Sequence, residues 1–112
     1  EMERCMELLA DDISWTDIGT TKFSGTYVGK DTLSKDLLGP LFGQLKAGIY
    51  STIENIIAEG PFVVVQSRGA AETTDGKPYN NTYCHVFELR DGKIQAVTEY
   101  LDTALTNTVF GA

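Results

Sequence analysis

Three side chains of this 112-residue chain are suited to acid–base chemistry: Asp17, His85 and Asp102. His85 is the only imidazole in the sequence, which excludes any site that requires several histidines. Burial in an apolar pocket raises the pKa of a carboxyl group and lowers that of a histidine, so that either group can exchange protons near pH 7. The alternatives are that Asp17 initiates the turn at Gly19, that Asp102 caps the C-terminal segment, and that His85 is a satisfied core residue.

Four further residues are candidate ligand contacts. They are Trp15, Tyr83, Tyr100 and Arg68. Each of the three aromatic residues lies two positions before one of the acid–base candidates, and residues two apart in a strand share a face. If these faces converge, the aromatic and acidic side chains meet among apolar walls. The alternatives are that both tyrosines are core residues, and that Arg68 is a surface charge or a partner for Glu88.

Two helical segments are expected before residue 50. Apolar residues spaced as on one helical face begin the chain, at Met2, Cys5, Met6 and Leu9. A second apolar pattern covers 33–45, and Asp31 is a plausible N-cap for it. Gly39-Pro40 interrupts this pattern, and a kink is expected there because proline removes a helical hydrogen bond.

The rest of the chain predicts strands joined by hairpins. The expected strands are 13–18, 50–58, 62–73, 79–90 and 93–102. Asp75-Gly76 and Asp91-Gly92 are strong hairpin signals. Helices followed by hairpin-connected strands predict an α+β fold, in which a cone of N-terminal helices packs on a curved, mainly antiparallel sheet. The mouth of such a cone is the default position for a ligand.

Composition narrows the classes of partner. Nine Lys and Arg residues against 16 Asp and Glu residues give a net charge of −7, which disfavours nucleic acid and anionic membrane surfaces. No apolar run approaches the roughly 18–20 residues that span a bilayer. Two cysteines, Cys5 and Cys84, are too few for a disulfide scaffold or a cysteine zinc site. We expect one cytoplasmic domain over residues 1–112, with no metal and no cofactor.

Several segments resemble the SnoaL-like polyketide cyclase family. They are LLADD at 8–12, GTYVGKD at 25–31, PYNNTYCHVFELRDGKI at 78–94 and EYLDT at 99–103. This family belongs to the nuclear transport factor 2-like superfamily, together with ketosteroid isomerases and limonene-epoxide hydrolases. The resemblance extends from Leu8 to about Asp102, which is most of the chain.

The resemblance implies a deep pocket, a homodimer that pairs the outer faces of two sheets, and proton-transfer chemistry such as ring closure or isomerisation. Asp102 falls at the position of a catalytic aspartate of the cyclases, and Asp17 falls near the general base of the isomerases. His85 falls near the protonated aspartate that serves the isomerases as an oxyanion donor. Gln66 and Arg68 stand where the epoxide hydrolases need an arginine and an aspartate, so epoxide hydrolysis is not expected.

The isomerases also use a tyrosine from a first helix that has no counterpart in this sequence, so we expect an upstream helix to be missing. Two functional hypotheses follow from the resemblance. The first is a cofactor-independent cyclase, isomerase or lyase that acts on a small hydrophobic, oxygenated molecule, with Asp102 and Asp17 as acid and base and His85 as an orienting group. The second is a non-catalytic ligand-binding or dimerisation module of the same fold.

Overall fold

The computed structural model describes residues 6–111, and its strands form one six-stranded sheet. The strands are β1 (Leu9–Asp17), β2 (Gly25–Val28), β3 (Tyr50–Glu59), β4 (Phe62–Ala70), β5 (Thr82–Arg90) and β6 (Lys93–Leu101). Their order across the sheet is β2-β1-β6-β5-β4-β3. Only β1 and β6 run parallel, so the expected α+β class with a mainly antiparallel sheet is confirmed.

The helix before β3, here called α1, consists of three consecutive pieces: Lys30–Thr32, a wider π-helical stretch at Leu33–Leu38, and Gly39–Phe42. The expected N-cap at Asp31 is wrong, because the helix already begins at Lys30, after Gly29 with φ 91°. The Gly39 N–H donates to the Ser34 carbonyl, five residues earlier, so the wider turns lie immediately before Pro40. Local widening of this kind lets a helix continue past an irregularity that would otherwise stop it.

Within the described residues, the expected first helix ends earlier than its apolar spacing predicts. Residues 6–8 are helical, but Leu9 opens β1 and pairs with Ile94 on β6. The helical spacing of the apolar residues is therefore overridden by strand pairing, and β1 begins four residues before the expected position. Met2 and Cys5 lie outside the described residues.

A bulge at Gln95 sets which side chains of β6 face inward. Glu88 on β5 pairs with Ala96 and the next residue, Leu89, pairs with Ile94, so Gln95 has no partner on β5. An extra residue reverses the alternation of side chains beyond it. Regular alternation from Ile94 would turn the even-numbered residues inward, whereas the bulge turns Val97, Glu99 and Leu101 inward.

The core lies between the inner face of the sheet and α1. Ile13, Leu33, Leu37 and Val97 are at most 2% exposed, and full burial of each such side chain stabilises the fold by about 1.5–3 kcal/mol. A second helix, α2 (Thr103–Phe110), follows β6 and adds Phe110 to this core. Among residues 6–111, no helix is long and apolar enough to cross a membrane.

Candidate active site

Three ionisable side chains stand in one row across the inner face of the sheet. Asp17 on β1 is the register partner of Glu99 on β6, and Glu99 is the register partner of His85 on β5. Neighbouring strands are only about 4.8 Å apart, so residues in register place their side chains in contact. His85 Nε2 lies 2.8 Å from Glu99 Oε2. The sheet itself therefore assembles two carboxyl groups and an imidazole.

This row forms part of the wall of a cavity of about 460 Å³ between the sheet, α1 and α2. Leucines and aromatic residues such as Leu37 and Phe42 supply most of the lining. Among the described residues that line the cavity, none is lysine or arginine. The carboxyl groups consequently face an apolar space in which no fixed positive charge balances them.

Burial raises the pKa of both carboxyl groups, and contact with Glu99 raises that of Asp17 further. Asp17 is only 7% exposed, and desolvation followed by the hydrogen bond to Glu99 raises its pKa from 3.8 to about 9. Desolvation also raises the pKa of Glu99. Two buried carboxyl groups in contact cannot both ionise, and they titrate as a pair. At neutral pH Asp17 keeps its proton and donates it in a hydrogen bond to Glu99.

His85 completes the row as a neutral hydrogen-bond donor. Burial lowers its pKa, and the neutral tautomer with its proton on Nε2 donates to the Glu99 carboxyl oxygen 2.8 Å away. The rings of Tyr83 and Phe87 stack on either side of the imidazole, each with its centroid 5.7 Å away. The edge of Trp15 meets the same imidazole at 6.0 Å. These aromatic contacts fix the orientation of the imidazole and therefore of the carboxyl group that it holds.

Trp15 and Tyr83 complete the aromatic surroundings of the row. Trp15 Nε1 donates to Asp17 Oδ1 over 3.4 Å. Burial raises the pKa of Tyr83, which keeps its phenol neutral. The Tyr83 ring packs so closely on Gly69 that a Cβ there would come within 2.8 Å of it, so this position requires glycine.

Four of the seven predicted site residues lie together in the cavity wall: Asp17, His85, Trp15 and Tyr83. The expectation that Asp102 faces the interior is wrong. Asp102 is exposed at the N-terminus of α2, where its Oδ1 accepts from Ala104 N at 3.1 Å and Leu105 N at 3.2 Å. The structure thus shows the capping alternative for Asp102.

Tyr100 and Arg68 also lie away from the cavity, on the outer face of the sheet. Tyr100 is 45% exposed because the bulge at Gln95 turns it outward. Arg68 is exposed, and its Nε lies 2.9 Å from Glu54 Oε2, so its ion-pair partner is not Glu88. The placement expected for both residues, among the ligand contacts of the interior, is therefore wrong.

Glu99 is the site residue that sequence reasoning missed. The available signal was the apolar pair Val97 and Leu101, since two apolar residues four apart in a strand place the residue midway between them on the same face. Following that pair instead of Ile94 would have turned Glu99 inward beside His85.

A second buried polar cluster lies where β5 meets α2. Asn81, 1% exposed, donates from Nδ2 to Tyr79 Oη at 3.1 Å and to the Asp102 carbonyl at 3.1 Å. Its Oδ1 accepts from Thr82 N at 2.8 Å and Asp102 N at 3.0 Å. The hydroxyls of Tyr79 and Thr106 are 3.0 Å apart. This amide cluster, defined here as Tyr79, Asn81 and Thr106, ties α2 to the sheet.

Neither group of residues forms a metal centre. Over the part of the chain that the structure describes, no cluster of His, Cys, Asp and Glu side chains has the arrangement of a metal site. The Asp17–Glu99–His85 row can act through hydrogen bonding and proton transfer by its own side chains.

The fold and the sequence agree on the class of this protein. The chain belongs to the SnoaL-like domain family, whose model matches residues 1–97. Solved structures with the same NTF2-like architecture include a protein of unknown function from Burkholderia pseudomallei. At 20% identity, it is similar over 96% of this chain and 82% of its own, with a TM-score of 0.83.

Two other solved structures share the fold. TerC, co-crystallised with polyporic acid, is 22% identical over 100% of this chain and 87% of its own, with a TM-score of 0.84. A candidate SnoaL-like polyketide cyclase from Jannaschia sp. CCS1 is 18% identical over 98% of this chain and 78% of its own, with a TM-score of 0.80. No curated protein matches the chain. At these identities, the structural likeness establishes the fold alone.

Proposed function

We propose that this chain binds a hydrophobic, oxygenated small molecule in the cavity and catalyses a cofactor-free proton transfer on it, as an isomerase or cyclase does. The observation that carries the proposal is the Asp17–Glu99–His85 row in the wall of a largely apolar cavity. The row places two carboxyl groups in contact, of which protonated Asp17 can serve as the acid and Glu99 as the base. That combination suits the movement of a proton between two atoms of one ligand.

The roles follow from the protonation states. Glu99, held by His85, takes a proton from a carbon next to a ligand carbonyl. The electrons of the broken C–H bond move onto the carbonyl oxygen, which replaces Glu99 as the acceptor of the hydrogen bond from protonated Asp17. Return of the proton from Glu99 to a different carbon completes an isomerisation. In a ring closure the enolate carbon instead attacks a second carbonyl, whose oxygen takes the proton back from Glu99. The ligand's own carbonyl delocalises the charge, so the reaction needs no cofactor.

The similar solved structures support the proposed chemical class of the ligand, and they do not identify one particular ligand. TerC, which shares the fold of this chain, was co-crystallised with the organic molecule polyporic acid. The candidate cyclase from Jannaschia supports the reaction class in the same indirect way. The cavity of about 460 Å³ falls within the usual range of roughly 300–1,000 Å³ for small-molecule sites.

The test is an isomerisation assay with a β,γ-unsaturated ketone, followed by the ultraviolet absorbance of the conjugated product. Glu99→Gln and Asp17→Asn keep side-chain size but remove acid–base function, and each should lower kcat by roughly 10²–10⁴-fold. Asp102→Asn is the matched control, because it makes the same carboxyl-to-amide change at the helix cap outside the cavity. It should retain wild-type kcat.

Two outcomes would contradict the proposal. Loss of turnover in Asp102→Asn, with turnover retained in Glu99→Gln, would return the catalytic role to Asp102. Binding of the ketone by wild-type protein without turnover, unchanged by either substitution in the row, would favour a non-catalytic ligand-binding module.

We also propose that the chain forms a homodimer through the outer face of the sheet. Ile57, Phe62 and Tyr100 point outward on β3, β4 and β6 and are 58%, 44% and 45% exposed. Large exposed apolar side chains on three strands of one sheet face support an interaction site there. Light scattering should therefore give twice the chain mass of 12.2 kDa.

Ile57→Lys should convert the dimer to monomer, because it places a charge in the proposed interface. Ile56→Lys is the matched control, since Ile56 is similarly exposed but points to the inner face, and this variant should remain dimeric. A monomeric wild type, or equal disruption by both substitutions, would argue against this interface.

A further inference from the structure

Ser67 is a buried hydroxyl in the cavity wall that the proposed chemistry leaves unused. It lies on β4 in register with Tyr83 and is 5% exposed. Its neighbours Gln66 and Arg68 are exposed on the outer face, so the side chain of Ser67 points to the inner face. Ser67 is accordingly among the residues that line the cavity.

No hydrogen bond among the described residues uses the Ser67 hydroxyl. Enclosed polar groups are nearly always hydrogen-bonded, and among the described residues the enclosed side-chain oxygen without a partner is Asn107 Oδ1, so the Ser67 hydroxyl is open to the cavity. Asn81, enclosed between the start of β5 and α2, shows the usual situation, with both its amide nitrogen and its oxygen engaged. The Ser67 hydroxyl can therefore hydrogen-bond a molecule bound in the cavity.

Its position relative to the acid–base row is fixed by the strand register. Because Ser67 pairs with Tyr83, it is the diagonal neighbour of His85, and diagonal neighbours lie about 7–8 Å apart. Glu99 lies one strand beyond His85 and Asp17 lies two strands beyond it, and each strand adds about 4.8 Å to the distance from Ser67. The space between the hydroxyl and the carboxyl pair is bordered by the rings of Tyr83 and His85.

We propose that Ser67 is a second polar contact for the ligand, and that the cavity therefore selects elongated, rigid, apolar molecules with an oxygen at each end. One oxygen meets the Asp17–Glu99 pair, the apolar body lies along the aromatic wall, and the distal oxygen hydrogen-bonds to Ser67 Oγ. This inference rests on the proposed function, because it takes the carboxyl row as the first contact of the ligand.

Calorimetric binding of two matched probes tests the inference. The first probe is 4,4′-dihydroxybiphenyl, a rigid ring pair with a hydroxyl at each end, and the second is 4-hydroxy-4′-methylbiphenyl, in which a methyl group replaces one hydroxyl. Wild-type protein should bind the dihydroxy probe roughly tenfold more tightly, which is the scale of one additional hydrogen bond. Ser67→Ala should bind both probes equally.

Ser51→Ala is the matched control, since Ser51 also lines the cavity but is exposed on β3, and this variant should keep the tenfold preference. A preference that survives in Ser67→Ala overturns the inference, as does equal binding of the two probes by wild-type protein; both results leave the proposed ligand site standing. If wild-type protein binds neither probe, the proposed function and the inference that rests on it both fail.

Discussion

The cavity wall contains two buried polar clusters that differ in how their groups are satisfied. The amide cluster of Tyr79, Asn81 and Thr106 is neutral, and Asn81 uses donors and acceptors on both sides of its amide. The Asp17–Glu99–His85 row is ionisable and has fewer donors than its carboxyl oxygens could accept. The first cluster is arranged as a structural joint, and the second as a site that can exchange protons.

The difference is explained by what each cluster faces. The amide cluster is enclosed between β5 and the start of α2, where every donor finds a backbone or hydroxyl acceptor. The acidic row lies on the open floor of the cavity, where apolar side chains offer it no further hydrogen bonds. Satisfied polar networks stabilise a fold, whereas buried carboxyl groups with raised pKa values reduce its stability. Groups held in such a state are typical of functional sites.

The largest expected effect on stability comes from breaking the amide cluster. Asn81→Ala leaves Thr82 N and Asp102 N without their side-chain acceptor and deprives Tyr79 of a donor. The free energy of unfolding should fall by about 2–4 kcal/mol, since several buried groups lose partners together. Urea denaturation followed by circular dichroism measures this change.

Asn80→Ala is the matched control, because Asn80 is exposed and its side chain accepts only one bond, from Ala71 N at 3.3 Å. It should change stability by no more than about 0.5 kcal/mol. Equal losses in the two variants would show that the amide cluster is not a joint between α2 and the sheet.

The second expected effect concerns the pH dependence of stability. Asp17 ionises near pH 3.8 when unfolded but keeps its proton to about pH 9 in the folded protein. Between these values the native state binds more protons than the unfolded state, so stability falls as pH rises through this window. Above pH 7 an unfolded histidine with its ordinary pKa of 6.5 is largely neutral, and burial keeps His85 neutral in the folded protein, so the slope belongs to the carboxyl pair.

Urea unfolding at several values between pH 7 and pH 9 should show stability declining by up to about 1.4 kcal/mol per pH unit. Asp17→Asn should flatten this decline and become more stable than wild type toward pH 9. Asn81→Ala should lower the free energy of unfolding by the same amount at every pH, because no ionisable group is removed. A wild-type stability that is constant or rises between pH 7 and pH 9 would mean that Asp17 is ionised in the folded protein.

The same contrast shows how much of the site can be read from sequence. Asp17 with Trp15, and His85 with Tyr83, were correctly placed on inner faces because alternation along one regular strand is a local property. The Asp91-Gly92 hairpin is likewise local, and its φ values of 53° and 78° match the turn that this pair favours.

The wrong predictions concern residues whose inward or outward direction is set by pairing between strands. The directions of the Tyr100, Asp102 and Glu99 side chains depend on the bulge at Gln95, and the residue types at the bulge do not predict it. Arg68 follows a run of three valines that gives no polar alternation, so only the pairing of Ser67 with Tyr83 establishes its outward direction. A shift of one residue moves a side chain to the opposite face, and alternation counted from Ile94 does not reveal that shift.

The smallest expected effect on stability comes from Asp102, and it distinguishes a helix cap from a member of the acidic row. Asp102→Ala removes the side-chain acceptor of Ala104 N and Leu105 N and should lower the free energy of unfolding by about 1 kcal/mol. Asp102→Asn should leave it nearly unchanged, because asparagine caps a helix about as well as aspartate. Denaturation of the two variants at one pH compares them directly. An equal loss of stability in Asp102→Asn and Asp102→Ala would mean that the negative charge of Asp102 stabilises the fold. Asp102 would then be an ionisable group that matters for stability, as in the acidic row, and not simply a hydrogen-bonding helix cap.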